Sequence, residues 1–208
     1  MPGHEKSDRP VDLDPQRTAL VVVDMENDFC KFGGKLYHPD GVDEVIPKLR
    51  NLLEKCRRAG ARVIFVQSVR YEDSPEFVRF GHFPFILKNT WGSTYIEEVA
   101  PKEGEPIIEK NTHDCFYKTE MDNLLQQLKI LPETHAVIVT GVAADVCVYH
   151  AVIGFHVRHY QVNVPIDCCA GWPDGRRMLE TQMSNPAYSY NVTVTSSERI
   201  RFSKYAIS

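Results

Sequence analysis

The feature that most constrains this chain is a repeated change of hydrophobic period, from short apolar β-rich runs to stretches with helical spacing. Thr18-Ala-Leu-Val-Val-Val23 is uncharged and rich in β-branched residues. After it, Val45, Leu49, Leu52, Leu53 and Cys56 recur at helical spacing up to Gly60, which serves as a stop signal. Ala61 to Gln67 reads as a second strand and Pro106 to Lys110 as a third. Thr119-Glu-Met-Asp122 offers a capping box for a helix with Met121, Leu124, Leu125 and Leu128 on its apolar face. Residues 135–140 give a fourth strand, and a helix starting near Asp145 carries Val148, Val152 and Phe155. Gln161 to Asp167, a helix around 174–183 and the strand Val192 to Thr195 complete the series.

Such alternation predicts an α/β fold: a single Rossmann-like, three-layer α/β/α domain with a mostly parallel sheet. Sites in these sheets lie beyond the carboxyl ends of the strands. At 208 residues, with 43% hydrophobic and 25% charged residues, one domain over 1–208 accounts for the chain. Residues 1–15 read as an N-terminal extension. Residues 72–104, rich in Pro, Gly and aromatics and poor in periodicity, read as a loop region that shapes the site. There is no internal repeat and no low-complexity linker.

The net charge of −4, with dispersed basic residues, argues against nucleic acid as a partner. The polar start, Met1 to Pro10, lacks the apolar core of a signal peptide, and no later run is long enough to cross a bilayer. A cytoplasmic protein with no membrane partner is expected. The six cysteines then read as reduced thiols. Adjacent Cys168 and Cys169 fit strand-end or core positions rather than a disulfide or a zinc pair.

Three side chains fall at predicted strand ends: Asp24, Lys110 and Cys147. Taken singly, each has an ordinary structural explanation as turn former, solvated strand end or buried thiol. Together they supply what thiol catalysis needs. A free cysteine has a pKa of about 8.5, so a base and a cation beside it are required to furnish thiolate. The carboxylate can take the thiol proton and return it to a leaving amine, while the ammonium stabilises negative charge. Backbone amides of the turn Val142-Ala-Ala-Asp-Val146, at a helix start, can bind an oxyanion.

The blocks Val21-Val-Val-Asp-Met-Glu-Asn-Asp-Phe29, Glu109-Lys-Asn-Thr-His-Asp-Cys-Phe116 and Thr140-Gly-Val-Ala-Ala-Asp-Val-Cys-Val148 carry a resemblance over about residues 16–196. In this order and spacing the chain resembles the isochorismatase-like cysteine hydrolases, the superfamily of nicotinamidase, N-carbamoylsarcosine amidohydrolase and ureidoacrylate amidohydrolase. The resemblance implies that Asp24 is the general base, Lys110 the charge partner and Cys147 the nucleophile. It also implies a cis peptide between Val142 and Ala143 that aims the Ala143 and Cys147 amides at the oxyanion, and assembly as a homo-oligomer, a dimer or tetramer.

Departures from the family pattern narrow what it implies. Glu26 stands where relatives commonly have glutamine, and Ala144 and Ala151 stand where they commonly have threonine, so the polarity of the pocket differs. Nicotinamidases carry an Asp-x-His metal motif after the second strand, whereas this chain reads Gln67-Ser-Val-Arg-Tyr-Glu-Asp73. No catalytic metal and no cofactor are expected; His38, His82 and His113 are scattered. The function that follows is hydrolysis of a small linear amide of N-carbamoyl or ureido type through a thioester. The alternatives are a vinyl-ether hydrolase of isochorismatase type and a non-catalytic scaffold subunit. Asn111, Phe29, Arg70, Trp91, Tyr149 and Trp172 are the candidate substrate-binding residues; Asn111, beside Lys110, can orient a carbonyl or a water.

Overall fold

A computed structural model describes residues 9–37 and 39–203. In chain order the elements are β1 (Val11–Leu13), β2 (Thr18–Val23), α1 (Asn27–Cys30), α2 (Pro39–Ala59), β3 (Arg62–Ser68), α3 (Pro75–Val78) and β4 (Ile107–Lys110). There follow α4 (Met121–Gln127), β5 (Ala136–Gly141), α5 (Tyr149–His156), β6 (Gln161–Pro165), α6 (Gly175–Met183), β7 (Val192–Thr195) and β8 (Ile200–Phe202).

Every residue of β2 and β5 is buried. A strand without a polar face needs cover on both sides, and these two are neighbours at the centre of a six-stranded sheet of order β4-β3-β2-β5-β6-β7, all pairs parallel. Alternate residues feed two cores. Ala19, Val21 and Val23 pack with Met121, Leu125, Val152, Phe155, Leu179 and Met183 of α4, α5 and α6. Leu20 and Val22 pack on the opposite face with Val45, Leu49, Leu52, Leu53 and Cys56 of α2. This is the expected three-layer α/β/α arrangement. Gly60 ends α2 in the left-handed region, at φ +80°, as its place in the sequence predicts. Among the described residues no helix is long and apolar enough to cross a membrane. All six cysteines are free and buried.

Four local expectations are corrected. Residues 1–15 are not wholly an extension, because Val11–Leu13 pairs in parallel with Ile200–Phe202 as a separate two-stranded sheet; residues 1–8 lie outside the described residues. The Thr119–Asp122 capping box does not form. Thr119 Oγ1 accepts from the Met121 amide at 3.3 Å and donates to the Cys115 carbonyl at 2.5 Å, while the Asp122 carboxylate is taken by Arg158 at 2.8 Å. The fifth predicted strand stops at Pro165, because the Asp167 carboxylate turns to accept from the Ser197 amide and hydroxyl at 2.8 and 2.7 Å. The helix expected near Asp145 begins as a wide π turn over Ala144–Val148 and becomes α-helical at Tyr149.

Residues 72–104 hold only α3 and two short 3-10 turns, at Trp91–Ser93 and Glu97–Val99. They are stitched to the sheet's carboxyl edge: Asn27 N donates to Thr94 O at 2.9 Å, Ile96 N to Met25 O at 3.0 Å, and Gln67 Nε2 to Ser93 O at 2.6 Å. The buried Asp28 carboxylate gathers the same region, accepting from the amides of Lys35 at 3.2 Å and Ile86 at 2.6 Å.

Gly141 closes β5 at φ +113°, and a Cβ there would overlap the backbone of Val23. Only glycine lets β5 come this close to the end of β2. Gly141→Ala is expected to destabilise the protein by about 1–3 kcal/mol, read as a lower urea midpoint at unchanged slope. An unchanged midpoint would show that the contact yields without cost.

Candidate active site

Four neighbouring strands deliver the site from their carboxyl ends. Asp24 follows β2 at φ +52°, with its amide donating to Val66 O at 3.0 Å. Ser68 and Lys110 are the last residues of β3 and β4 and stand opposite each other in register. Lys110 Nζ donates to Asp24 Oδ2 at 2.8 Å, Ser68 Oγ at 2.6 Å and Thr112 O at 3.0 Å, and lies 3.4 Å from Cys147 Sγ. The Ser68 hydroxyl donates to the same Asp24 oxygen at 3.0 Å. Both charged side chains of the pair are 0% exposed. Burial opposes the Lys110 charge, yet the Asp24 carboxylate and the Cys147 sulfur outweigh it and hold the ammonium above its ordinary range.

Cys147 sits on the π turn after Gly141. The Val142–Ala143 peptide is cis. The Ala144 amide donates to Ala170 O at 2.7 Å, and the amides of Val146 and Val148 to Ala143 O at 3.0 and 3.1 Å. Burial pushes the Cys147 thiol up to about 12, the Asp24 charge adds to that, and Lys110 pulls the other way. A cation beside the sulfur was expected to supply thiolate; desolvation opposes it and favours the neutral thiol.

Glu26 is fully buried beneath this cluster, with Oε1 accepting from the Ser68 amide at 2.8 Å. Burial, then the Asp24 charge, raises its carboxyl well above the usual range. The Lys110 charge works in the opposite direction on Glu26, but burial and Asp24 come first among the causes. Tyr95, whose backbone bridges Glu26, is raised by burial and then by the Glu26 and Asp24 charges.

Asp24, Lys110 and Cys147 are thus brought together. The expected pocket residues are more dispersed. Arg70 is buried, ion-paired to Glu76, and stacked 5.8 Å from the Phe85 ring centre. Phe29 packs against the α2-side core, and Tyr149 against the opposite core, near Tyr188. Trp91 and Trp172 are exposed, and Asn111 is exposed in the loop after Lys110. Sequence reasoning missed Ser68, although it ends a strand as Asp24 and Lys110 mark theirs, and the same strand-end rule would have found it. It also placed His113 among scattered histidines; its Nδ1 lies 3.7 Å from Cys147 Sγ. His82 is exposed on the loop and His38 lies outside the described residues. Among the described residues no group of three or more His, Cys, Asp or Glu side chains could hold a metal ion, and the Ser68-Val-Arg70 segment after β3 offers no donor set that fits one.

A parallel α/β sheet with a cysteine, an aspartate and a lysine gathered beyond its strand ends defines the class, a cysteine-hydrolase-like scaffold. The Isochorismatase domain family model matches residues 18–199, and the chain belongs to that family. The ureidoacrylate amidohydrolase RutB of Rhizobium rhizogenes is 27% identical over 177 residues, covering 74% of this chain and 70% of that protein. An N-carbamoylsarcosine amidase structure from Thermoplasma acidophilum is 30% identical with TM-score 0.73, covering 89% of this chain and 99% of that one. An isochorismatase-like hydrolase from Alkaliphilus metalliredigens is 26% identical with TM-score 0.77, covering 88% and 96%. The first two relatives are amidohydrolases, hydrolases of carbon–nitrogen bonds other than peptide bonds.

A thiol raised to about 12 has little thiolate at neutral pH. Iodoacetamide labelling of Cys147, followed by mass spectrometry of its peptide, is expected to be slow at pH 7 and to keep rising through pH 9. A plateau near pH 7 would mean that Lys110 wins over burial.

Proposed function

We propose that the protein is a cysteine-dependent amidohydrolase that cleaves a small linear amide of N-carbamoyl or ureido type through a thioester. One observation carries this reading: a single buried ammonium, Lys110 Nζ, bonds the Asp24 carboxylate at 2.8 Å and lies 3.4 Å from the Cys147 sulfur. The names of the amidase relatives point the same way.

Because the resting thiol is neutral, its proton leaves as the sulfur attacks. Sγ bonds to the substrate carbonyl carbon while Asp24 takes the thiol proton. The Ala143 and Cys147 amides donate to the oxyanion. Asp24 then gives its proton to the leaving nitrogen as the carbon–nitrogen bond breaks, releasing ammonia or an amine and leaving the acyl group on sulfur. Lys110 keeps its proton throughout, balancing the charge of Asp24 when it is ionised and, while Asp24 holds the proton, the negative charge of the tetrahedral intermediate. Water then hydrolyses the thioester. Asn111 and the exposed Trp91 and Trp172 are the side chains this reading assigns to holding the substrate.

Ammonia release measured over ureido acids, N-carbamoyl amino acids, biuret-like compounds and nicotinamide tests the reading. Turnover is expected in the ureido and carbamoyl classes, with Cys147→Ala and Asp24→Asn each lowering kcat by about 10²–10⁴-fold. No turnover across the panel, together with turnover of isochorismate, would overturn it.

A further inference from the structure

Asp24 and Lys110 are closed off from solvent, and Cys147 is 6% exposed. His113 differs: the residue is partly open to solvent, yet its Nδ1 lies 3.7 Å from the sulfur, so the imidazole spans the distance between solvent and nucleophile. Its loop is pinned on both sides. The Thr112 carbonyl accepts from Lys110 Nζ at 3.0 Å, and the Asp114 carboxylate accepts from the Phe116 amide at 2.8 Å. The His150 ring lies against it, centroids 5.7 Å apart, and is itself anchored through Nδ1 to the Val146 carbonyl at 2.7 Å.

We propose that His113 is the general base of the second half-reaction, taking the proton of the water that hydrolyses the Cys147 thioester. This rests on the covalent reading above. Once the amine has left, Asp24 is again a buried carboxylate held by Lys110 and Ser68, and water reaches the thioester from the side that His113 occupies. The water oxygen bonds to the carbonyl carbon as its proton passes to Nδ1. The carbon–sulfur bond then breaks with its electron pair on sulfur, and the His113 proton passes to that sulfur. A free acid, a neutral thiol and a neutral imidazole remain. In the tautomer that does this, Nε2 carries the ring proton and the Nδ1 lone pair faces the sulfur.

The groups around His113 favour its basic form near neutral pH. Partial burial lowers its pKa below the usual value of about 6.5, and Lys110 from β4, Arg70 from the segment after β3 and His150 from α5 lower it further; Asp24 after β2 opposes them. Deacylation should therefore run unhindered at pH 7 and fall off in acid, at a pH below the usual imidazole value.

The test uses p-nitrophenyl acetate as acyl donor with stopped-flow detection of p-nitrophenolate. The unmodified protein should show a Cys147-dependent burst followed by steady turnover. In His113→Asn and His113→Gln the burst should keep its rate and amplitude while steady turnover falls by about 10²-fold. Acetyl-Cys147 should accumulate by mass spectrometry. Hydroxylamine, which needs no base to attack a thioester, should restore turnover, and the acid limb of the deacylation profile should vanish. Burst and turnover falling together, unchanged turnover, or failure of hydroxylamine to restore it would each overturn the assignment. Absence of a Cys147-dependent burst in the unmodified protein would overturn the covalent reading and this inference with it, whereas a normal burst with unaltered variant deacylation overturns this inference alone.

Discussion

The buried pair between Lys110 and Asp24 is the interaction on which the site depends. Two charges removed from water are costly unless their remaining donors and acceptors are met, and here Ser68 and the Thr112 carbonyl meet them. The pair joins the ends of β2 and β4 across β3, and so holds three strands at one level on the carboxyl edge. Cys147, delivered from β5, is placed against a cluster that is already rigid. Breaking such a pair by removing one partner costs about 3–5 kcal/mol, because the other charge stays buried.

Desolvation also sets the protonation pattern. It pushes the Cys147 thiol and the Glu26 carboxyl upward, toward their neutral forms, while the Asp24 carboxylate holds the Lys110 ammonium up against the same burial. In the proposed reaction the proton therefore transfers during attack, in contrast to a preformed thiolate kept beside a cation. The same enclosure separates the side chains by access: Asp24 and Lys110 are closed off from solvent, and His113, 3.7 Å from the sulfur, is partly open to it.

Much of the fold was legible because period and burial go together. The apolar run 18–23 has no polar face, and it became a central strand. The stripe from Val45 to Cys56 became the α2 face against the sheet. Failures came where local bonding competes with pattern. Asp167 and Thr119 chose side-chain partners that no spacing rule reveals, and β1 pairs with a strand almost two hundred residues later in the chain. Asp24, Lys110 and Cys147 could be picked out because a parallel sheet places functional side chains at strand ends. Arg70, a candidate substrate-binding residue by sequence, is buried in an ion pair with Glu76, a partner that spacing alone does not reveal.

By itself the sequence determined the layer architecture, the strand ends and the residue types gathered there, since these follow from periodicity and from the direction of parallel strands. It carried no information on how strands order themselves, and that order is what sets Lys110, Ser68, Asp24 and Cys147 side by side. Only the tertiary structure decided how deeply each charged group is buried and which histidine stands at the sulfur. The reason is physical: protonation and access depend on burial and on distances of a few ångströms between residues far apart in the chain.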